Sequence, residues 1–280
     1  AVDFQRPTDT PHATDYVDEL IDLIAQLVER DHAYVTDDGV YMDVESIEDY
    51  GLLAHQSLDE MRSGGGDREI HGAGQKRHPA DFVLWKFSRS EPTDSDPAWP
   101  SPWGPGRPGW HSECVAMAVS VLGSSIDLHG GGADLTFPHH AYERAIAEAV
   151  TGVTPFARAW MRVGLVHYEG SKMAKSTGNL VLVPDLLREH DAAVVRLMLV
   201  NRPWKEPWTF DAGALDSAAD VLESLYAAAG APGAPSGRDD VAAALRDDLD
   251  VPSALATALE SKGAGARFAL HVLGLDAAHR

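Results

Sequence analysis

Cys114, His139 and Glu143 offer one sulfur, one nitrogen and one oxygen donor, all acceptable to zinc. His139 and Glu143 stand four residues apart, a spacing that sets them on one face of a helix. By residue type alone a second reading stays open, with Cys114 a small buried hydrophobe and the His139–His140 pair a satisfied part of the core. Gly130, Gly131 and Gly132 follow His129, and such a run lets backbone approach a nucleotide with no Cβ in the way, although tight turns need glycine too. Asp134 could meet ribose hydroxyls or cap that turn. Lys172-Met-Ala-Lys175-Ser176 puts two ammonium groups on one segment, which in isolation reads equally as a solvated surface.

The elements that must position these groups follow from periodicity. Residues 14–30 carry Tyr16, Leu20, Ile21, Ile24, Leu27 and Val28 at three- and four-residue steps, predicting an amphipathic helix with Thr14 as N-cap. Residues 33–36, an Asp38-Gly39 turn and residues 40–44 read as a β-hairpin, and residues 81–86 as a strand. Residues 1–11 read as an extended linker, and 51–66 as loop and short helix ending in Ser-Gly-Gly-Gly. The prolines and glycines of 99–110 predict a rigid irregular loop that feeds a helix over 112–122. A short strand at 125–128 then leads into the glycines, Pro138 suits the start of a helix over 141–150, and 160–168 reads as a further strand. Alternation of strand, glycine-rich loop and helix is the pattern of a parallel α/β sheet with ligands at the carboxyl ends of its strands. Beyond Leu180 helices are expected at 182–188, 192–200, 213–229, 239–247 and 253–261, with 230–237 as a linker.

Composition narrows the setting. A chain of 280 residues with 44% hydrophobic residues can bury a sizeable core. No apolar run near the chemistry approaches a bilayer span and no charged-then-apolar leader opens the chain, so a soluble protein without a targeting segment is expected. One cysteine forbids an internal disulfide and points to a reducing cytoplasm. A net charge of −20 argues against a protein that coats polyanions, while local clusters at Lys76–Arg77, Arg158 with Arg162, and Arg196, Arg202 and Lys205 could still meet phosphates.

Three signals in order, Gly-Trp-His-Ser-Glu-Cys at 109–114, Phe-Pro-His-His-Ala-Tyr-Glu at 137–143 and Lys-Met-Ala-Lys-Ser at 172–176, together resemble the second half of the catalytic domain of cysteine–tRNA ligases, a family of class I aminoacyl-tRNA synthetases. The resemblance covers about residues 1–215. It implies an α/β, Rossmann-like fold followed by a small helical bundle, with 1–75 as the end of a connective insertion, 76–180 as the second catalytic half with its zinc site, 181–215 as a lysine-loop and stem-contact region, and 216–280 as a helical C-terminal segment. It implies Cys114, His139 and Glu143 as zinc ligands, Trp110 and His129 flanking the amino acid, and Gly130, Gly131, Gly132, Asp134, Lys175 and Ser176 at ATP. Lys172 and Lys175 would neutralise charge building on the phosphates as the carboxylate of cysteine displaces pyrophosphate. The implied substrates are cysteine, ATP with Mg2+ and the tRNA for cysteine, handled by a cytoplasmic monomer without a membrane.

Two departures from the family pattern stand out. Ala174 occupies the place of the usual serine in the lysine motif, and none of the 13 histidines lies in a His-Ile-Gly-His signature. The simplest expectation is that an N-terminal half-domain, carrying that signature and a further zinc cysteine, lies outside this sequence. Two rival functions are kept: a ligase of mycothiol biosynthesis that joins cysteine to a glucosaminyl-inositol amine, and a non-catalytic remnant that binds cysteine, adenylate or tRNA.

Overall fold

A computed structural model describes residues 6–57, 60, 76–89, 93 and 97–276, and within it the chain forms two compact units, 8–162 and 1–7 with 163–280. The glycine-rich stretch at 63–66 lies outside the described residues.

The first unit opens with a helix, α1 (Val17–Glu29), whose buried face carries Leu20, Leu23, Ile24 and Leu27. Thr14 does not cap it. A short 3-10 turn, Ala13–Asp15, precedes the helix, Tyr16 takes the cap position without a side-chain hydrogen bond, and Asp18 and Glu19 complement the dipole of the first turn instead. The predicted hairpin forms as β1 (Ala33–Val35) and β2 (Gly39–Met42), with Tyr34 opposite Tyr41. It extends into a four-stranded antiparallel sheet through β3 (Phe82–Phe87) and β4 (Gly106–Pro108). That last strand corrects the expectation of irregular structure across 99–110. Pro108 sits on the edge strand, where its missing N–H leaves no ladder bond unmade.

Helix α2 (Trp110–Leu122) starts two residues earlier than expected. Strand β5 (Ile126–Gly132) runs through the three glycines, so they belong to extended backbone rather than to a loop. A kinked helical turn (Thr136–His140), with Phe137 extended at φ −141°, leads into α3 (Ala141–Thr151). Strand β6 (Ala157–Val163) pairs with β5. Ile24, Leu27, Val40, Met42, Leu84, Trp85, Val115, Ile146 and Phe156 are wholly buried in one core. Each such large side chain contributes about 1.5–3 kcal/mol relative to exposure.

In the second unit the strand expected over 160–168 is broken at Gly164–Leu165, giving β6 and a separate β7 (Val166–Tyr168). Strand β7 pairs antiparallel with β8 (Ser171–Lys172) and parallel with β9 (Trp208–Thr209). Helices α4 (Val183–Leu186), shorter than expected, and α5 (Ala192–Val200) precede β9. Then come α6 (Gly213–Gly230), α7 (Gly237–Arg246), α8 (Val251–Ser261) and α9 (Gly263–Val272), the last of which periodicity did not reveal. The stretch read as a linker connects α6 to α7 and is itself tied down: Ala234 N–H donates to the Ser261 carbonyl at 2.8 Å, and Val241 just beyond is wholly buried. Leu197, Leu215, Leu222, Leu225, Leu255 and Leu270 form this unit's own core, and the chain as a whole is α/β. No helix among the described residues is long and apolar enough to cross a membrane.

Candidate metal centre and lysine loop

Gly109 decides where α2 begins. A Cβ there would stand 2.2 Å from the Val83 carbonyl oxygen, so only glycine lets the chain turn against β3 and deliver Trp110, His111 and Cys114 in the first turns. Helix α3 and the turn before it bring His139 and Glu143 to the same place. The Cys114 sulfur and one donor atom each from His139 and Glu143 lie within 4.8 Å of one another. Donors around a single zinc would stand about 3.3–3.8 Å apart, given bonds of about 2.0–2.3 Å, so the cluster is close to coordinating dimensions without a large rearrangement. His139 and Glu143 are buried and Cys114 is half-buried.

Glu143 divides its two oxygens between two imidazoles. Oε1 is 3.2 Å from His139 Nε2, and Oε2 is 3.1 Å from His129 Nε2. The second approach is short without the alignment of a hydrogen bond, which leaves buried Oε2 without a hydrogen-bond partner. Burial raises the Glu143 pKa, but the two facing imidazoles outweigh it and hold the carboxyl at about 2. The same carboxylate acts oppositely on its neighbour. Burial first, then the Glu143 and Glu113 charges, push the Cys114 thiol up to about 12, so the sulfur is protonated unless a cation joins the cluster. A buried carboxylate oxygen without a hydrogen-bond partner, beside a soft sulfur and imidazoles, is a donor set that fits a borderline cation such as zinc.

Two histidines that spacing did not single out complete the site. His111 Nδ1 lies 2.8 Å from His139 Nδ1, so His139 is held through both ring nitrogens, and burial together with His139 lowers the His111 pKa to about 4. His140, also lowered to about 4 chiefly by burial, forms a second donor group with His129 and Glu143. Both were visible as neighbours of the motif residues, in Trp-His-Ser and in Pro-His-His. Trp110, 55% exposed, stacks on His139 with ring centroids 4.2 Å apart, and His129 packs against Trp160 at 4.9 Å. A Cβ on Gly131 would stand 2.7 Å from His140 Nε2, so this glycine makes room for a histidine of the site. Asp134 lies in a short turn (Ala133–Leu135) directly after β5.

The lysine loop belongs to the second unit. Lys172 closes β8, and Lys175 and Ser176 are exposed in the turn that follows. Asn179 organises the loop from inside: its Oδ1 accepts from Ala174 N–H at 3.0 Å and from the Thr177 hydroxyl at 2.5 Å, while its Nδ2 donates to the Tyr168 carbonyl at 3.0 Å. The backbone of Ala174, rather than its side chain, carries that contact, so alanine here leaves the loop's frame intact. The basic clusters are engaged locally: Arg77 pairs with Asp43, Arg158 with Asp127 and Lys205 with Asp248, Arg196 donates to the Leu273 carbonyl, and Arg202 donates to the Met198 carbonyl.

Comparison with known proteins gives these groups a context. The family of class I (C) tRNA synthetase catalytic domains matches residues 1–220. A cysteine–tRNA ligase of Alkalilimnicola ehrlichii is 45% identical over 263 residues, covering 91% of this chain and 55% of the relative. One from Symbiobacterium thermophilum is 46% identical over 223 residues, covering 79% of this chain and 46% of the relative. The chain thus spans about half the length of the curated relatives it matches. Among solved structures, Mycobacterium tuberculosis methionyl-tRNA synthetase in complex with methionyl-adenylate superposes with a TM-score of 0.57 at 16% identity, over 97% of this chain and 65% of that one, which establishes a shared fold. With its α/β fold and a family match over residues 1–220, the chain belongs to the class I (C) tRNA synthetase catalytic-domain family.

Proposed function

We propose that this chain carries the thiol-selecting and lysine-loop portions of an ATP-dependent cysteine–tRNA ligase. The observation that carries the reading is the meeting of Cys114, His139 and Glu143 in one cluster within a chain of this family. In the reaction, a carboxylate oxygen of cysteine attacks the α-phosphorus of ATP, the bond to the β-phosphate oxygen breaks, and pyrophosphate leaves with Mg2+. The aminoacyl group then passes from the adenylate to the terminal ribose of tRNA, releasing AMP.

Cys114, His139 and Glu143 would hold zinc, which supplies an open coordination position that a thiolate fills well and a serine hydroxyl poorly. Packing shape alone separates such near-isosteres only weakly. His111 orients His139 from behind, and exposed Trp110 with His129 would flank the amino acid. Lys172 and Lys175 would meet the negative charge that grows on the departing pyrophosphate, with Ser176 and the 130–134 segment at the nucleotide. The domain reading stays with this proposal: 1–75 as the end of a connective insertion, 76–180 as catalytic half, 181–215 as stem-contact region and 216–280 as helical extension. The setting proposed is the cytoplasm, where ATP and tRNA are available.

The relatives described above are cysteine–tRNA ligases, which favours tRNA over an amino sugar as acceptor. Cysteine-dependent exchange of labelled pyrophosphate into ATP, with serine as control and zinc present, tests the reading. Exchange with cysteine alone is expected. Equal exchange with serine would overturn thiol selection, and none with either would remove activation from this chain acting alone.

A further inference from the structure

Two consecutive non-glycine residues, Asp248 and Leu249, hold left-handed backbone at φ 54° and 58° in the bend between α7 and α8. Such a pair persists only where its surroundings fix it. What fixes it comes from the loop before β9. The Trp204 indole N–H donates to the Asp248 carbonyl at 2.7 Å, and the Lys205 ammonium meets the Asp248 carboxylate at 2.5 Å while lying 5.1 Å from the centre of the Trp204 ring. Next to the left-handed turn, Asp250 caps α8 by accepting from Ser253 N–H at 3.0 Å, so the bend is held at its helix end as well.

From Trp204 the connection runs in backbone hydrogen bonds to the lysine segment. The Trp204 carbonyl accepts from Gly164 N–H at 2.9 Å, at the break that starts β7. Trp208 N–H then donates to Leu165 at 3.0 Å and Phe210 N–H to His167 at 2.8 Å, along the parallel pairing of β9 with β7. On the other side of β7, Met173 N–H donates to Val166 at 2.8 Å and His167 stands opposite Lys172. Arg202 stacks over Trp208 at 3.5 Å, stiffening the same loop. Strand β7 is therefore shared: one edge carries Lys172, and the other is tied through β9 and Trp204 to the helical bundle.

We propose that Trp204 and Lys205, seated on the Asp248–Leu249 bend, are positioning residues for the lysine loop, fixing strand β7 so that Lys172 and Lys175 are presented in one arrangement. The functional side of this inference rests on the activity proposed above, while its mechanical side stands on the hydrogen bonds alone. A helical segment with no group in the chemistry thereby sets the geometry of the phosphate-facing lysines.

Amide hydrogen exchange on the full chain tests it. Trp204→Phe keeps an aromatic ring, though a smaller one, and removes the indole donor. It is expected to accelerate exchange at Gly164, Phe210 and Met173 by roughly three- to tenfold, while amides inside α8 and α9 stay within about twofold of wild type. Lys205→Met removes the contact to the Asp248 carboxylate and the cation beside the Trp204 ring while leaving the indole hydrogen bond, and is expected to give a smaller rise, about twofold, at the same amides. Wild-type exchange at Phe210 and Met173 in both variants would overturn the proposal, as would equal acceleration through the whole bundle, the mark of general destabilisation. In cysteine-dependent pyrophosphate exchange, Trp204→Phe is expected to lower kcat by a similar factor with the KM for cysteine unchanged, and an unchanged kcat would overturn the functional side. If the wild-type chain exchanges no pyrophosphate, that result counts against the activity reading, and the amide outcomes alone decide the positioning role.

Discussion

Under the zinc reading proposed above, the Cys114 side chain would face two demands that conflict until a cation arrives. The thiol is raised to about 12 by burial and by the neighbouring carboxylates, yet a metal ligand must be a thiolate. Cys114→Ser keeps the size and removes the soft donor. It is expected to lose stoichiometric zinc after dialysis, read by metal analysis, while the far-UV circular dichroism of the chain stays that of wild type. Full zinc retention in the variant would mean the metal sits elsewhere. His111 tests a different property of the same cluster. Its ring touches His139 Nδ1 and not the carboxylate, so His111→Ala is expected to weaken zinc affinity by about 10- to 100-fold without abolishing it. Competition with a chromogenic chelator measures this, and an unchanged affinity would show that packing around His139 orients it without His111.

At the scale of elements, the site depends on a few places where backbone must pass close to backbone. Gly109→Ala would force a Cβ to within 2.2 Å of the Val83 carbonyl oxygen, so α2 must shift off β3. The expected cost is about 1–3 kcal/mol in denaturant unfolding, together with weaker zinc binding, because Cys114 rides on that helix. A loss of stability with unaltered zinc affinity would show that the helix shifts without carrying Cys114. Asn179→Ala should loosen the lysine loop, with trypsin cutting after Lys172 and Lys175 several-fold faster than in wild type. An unchanged cleavage rate would mean that the β7–β8 pairing, and not Asn179, holds the loop. Much of this was readable from sequence. Helix α1, the hairpin, β3, α3 and α5 follow from periodicity and spacing that local physics enforces, whereas the meeting of Cys114 with His139 and Glu143 was implied by the family resemblance and not by spacing. What stayed hidden depended on tertiary partners: β4 exists because β3 offers it an edge, the break at Gly164 because Trp204 binds its N–H, and the closed 230–237 turn because Ser261 accepts from it. His111 and His140 were in plain view but gained their roles only when folding set them against His139 and Glu143.

For the molecule as a whole, acid is the condition that separates site electrostatics from net charge. In the metal-free chain His111 and His140 are neutral, with pKa values held at about 4 against an unfolded value of about 6.5. Between those values the unfolded chain binds more protons than the folded one, so stability rises with pH there. The contribution of these two rings is fully present above about pH 6.5 and is lost as pH falls toward 4. Glu143, held at about 2, adds stability of the same sign that is lost only at lower pH, between its unfolded value of about 4.3 and 2. The net charge of −20 works the other way, because protonating carboxylates relieves repulsion, but those carboxylates begin to titrate mainly below about pH 5. A fall in the melting temperature of the metal-free chain is therefore expected already between pH 6.5 and 5, before the carboxylates respond. His111→Gln cannot ionise and is expected to flatten part of that slope. Saturating zinc should raise the melting temperature by mass action and steepen the same dependence, since protons compete for the donors. A melting temperature that stays level from pH 6.5 to 5 in the metal-free wild type would show that these histidines are hydrated, and the buried cluster would then need another description.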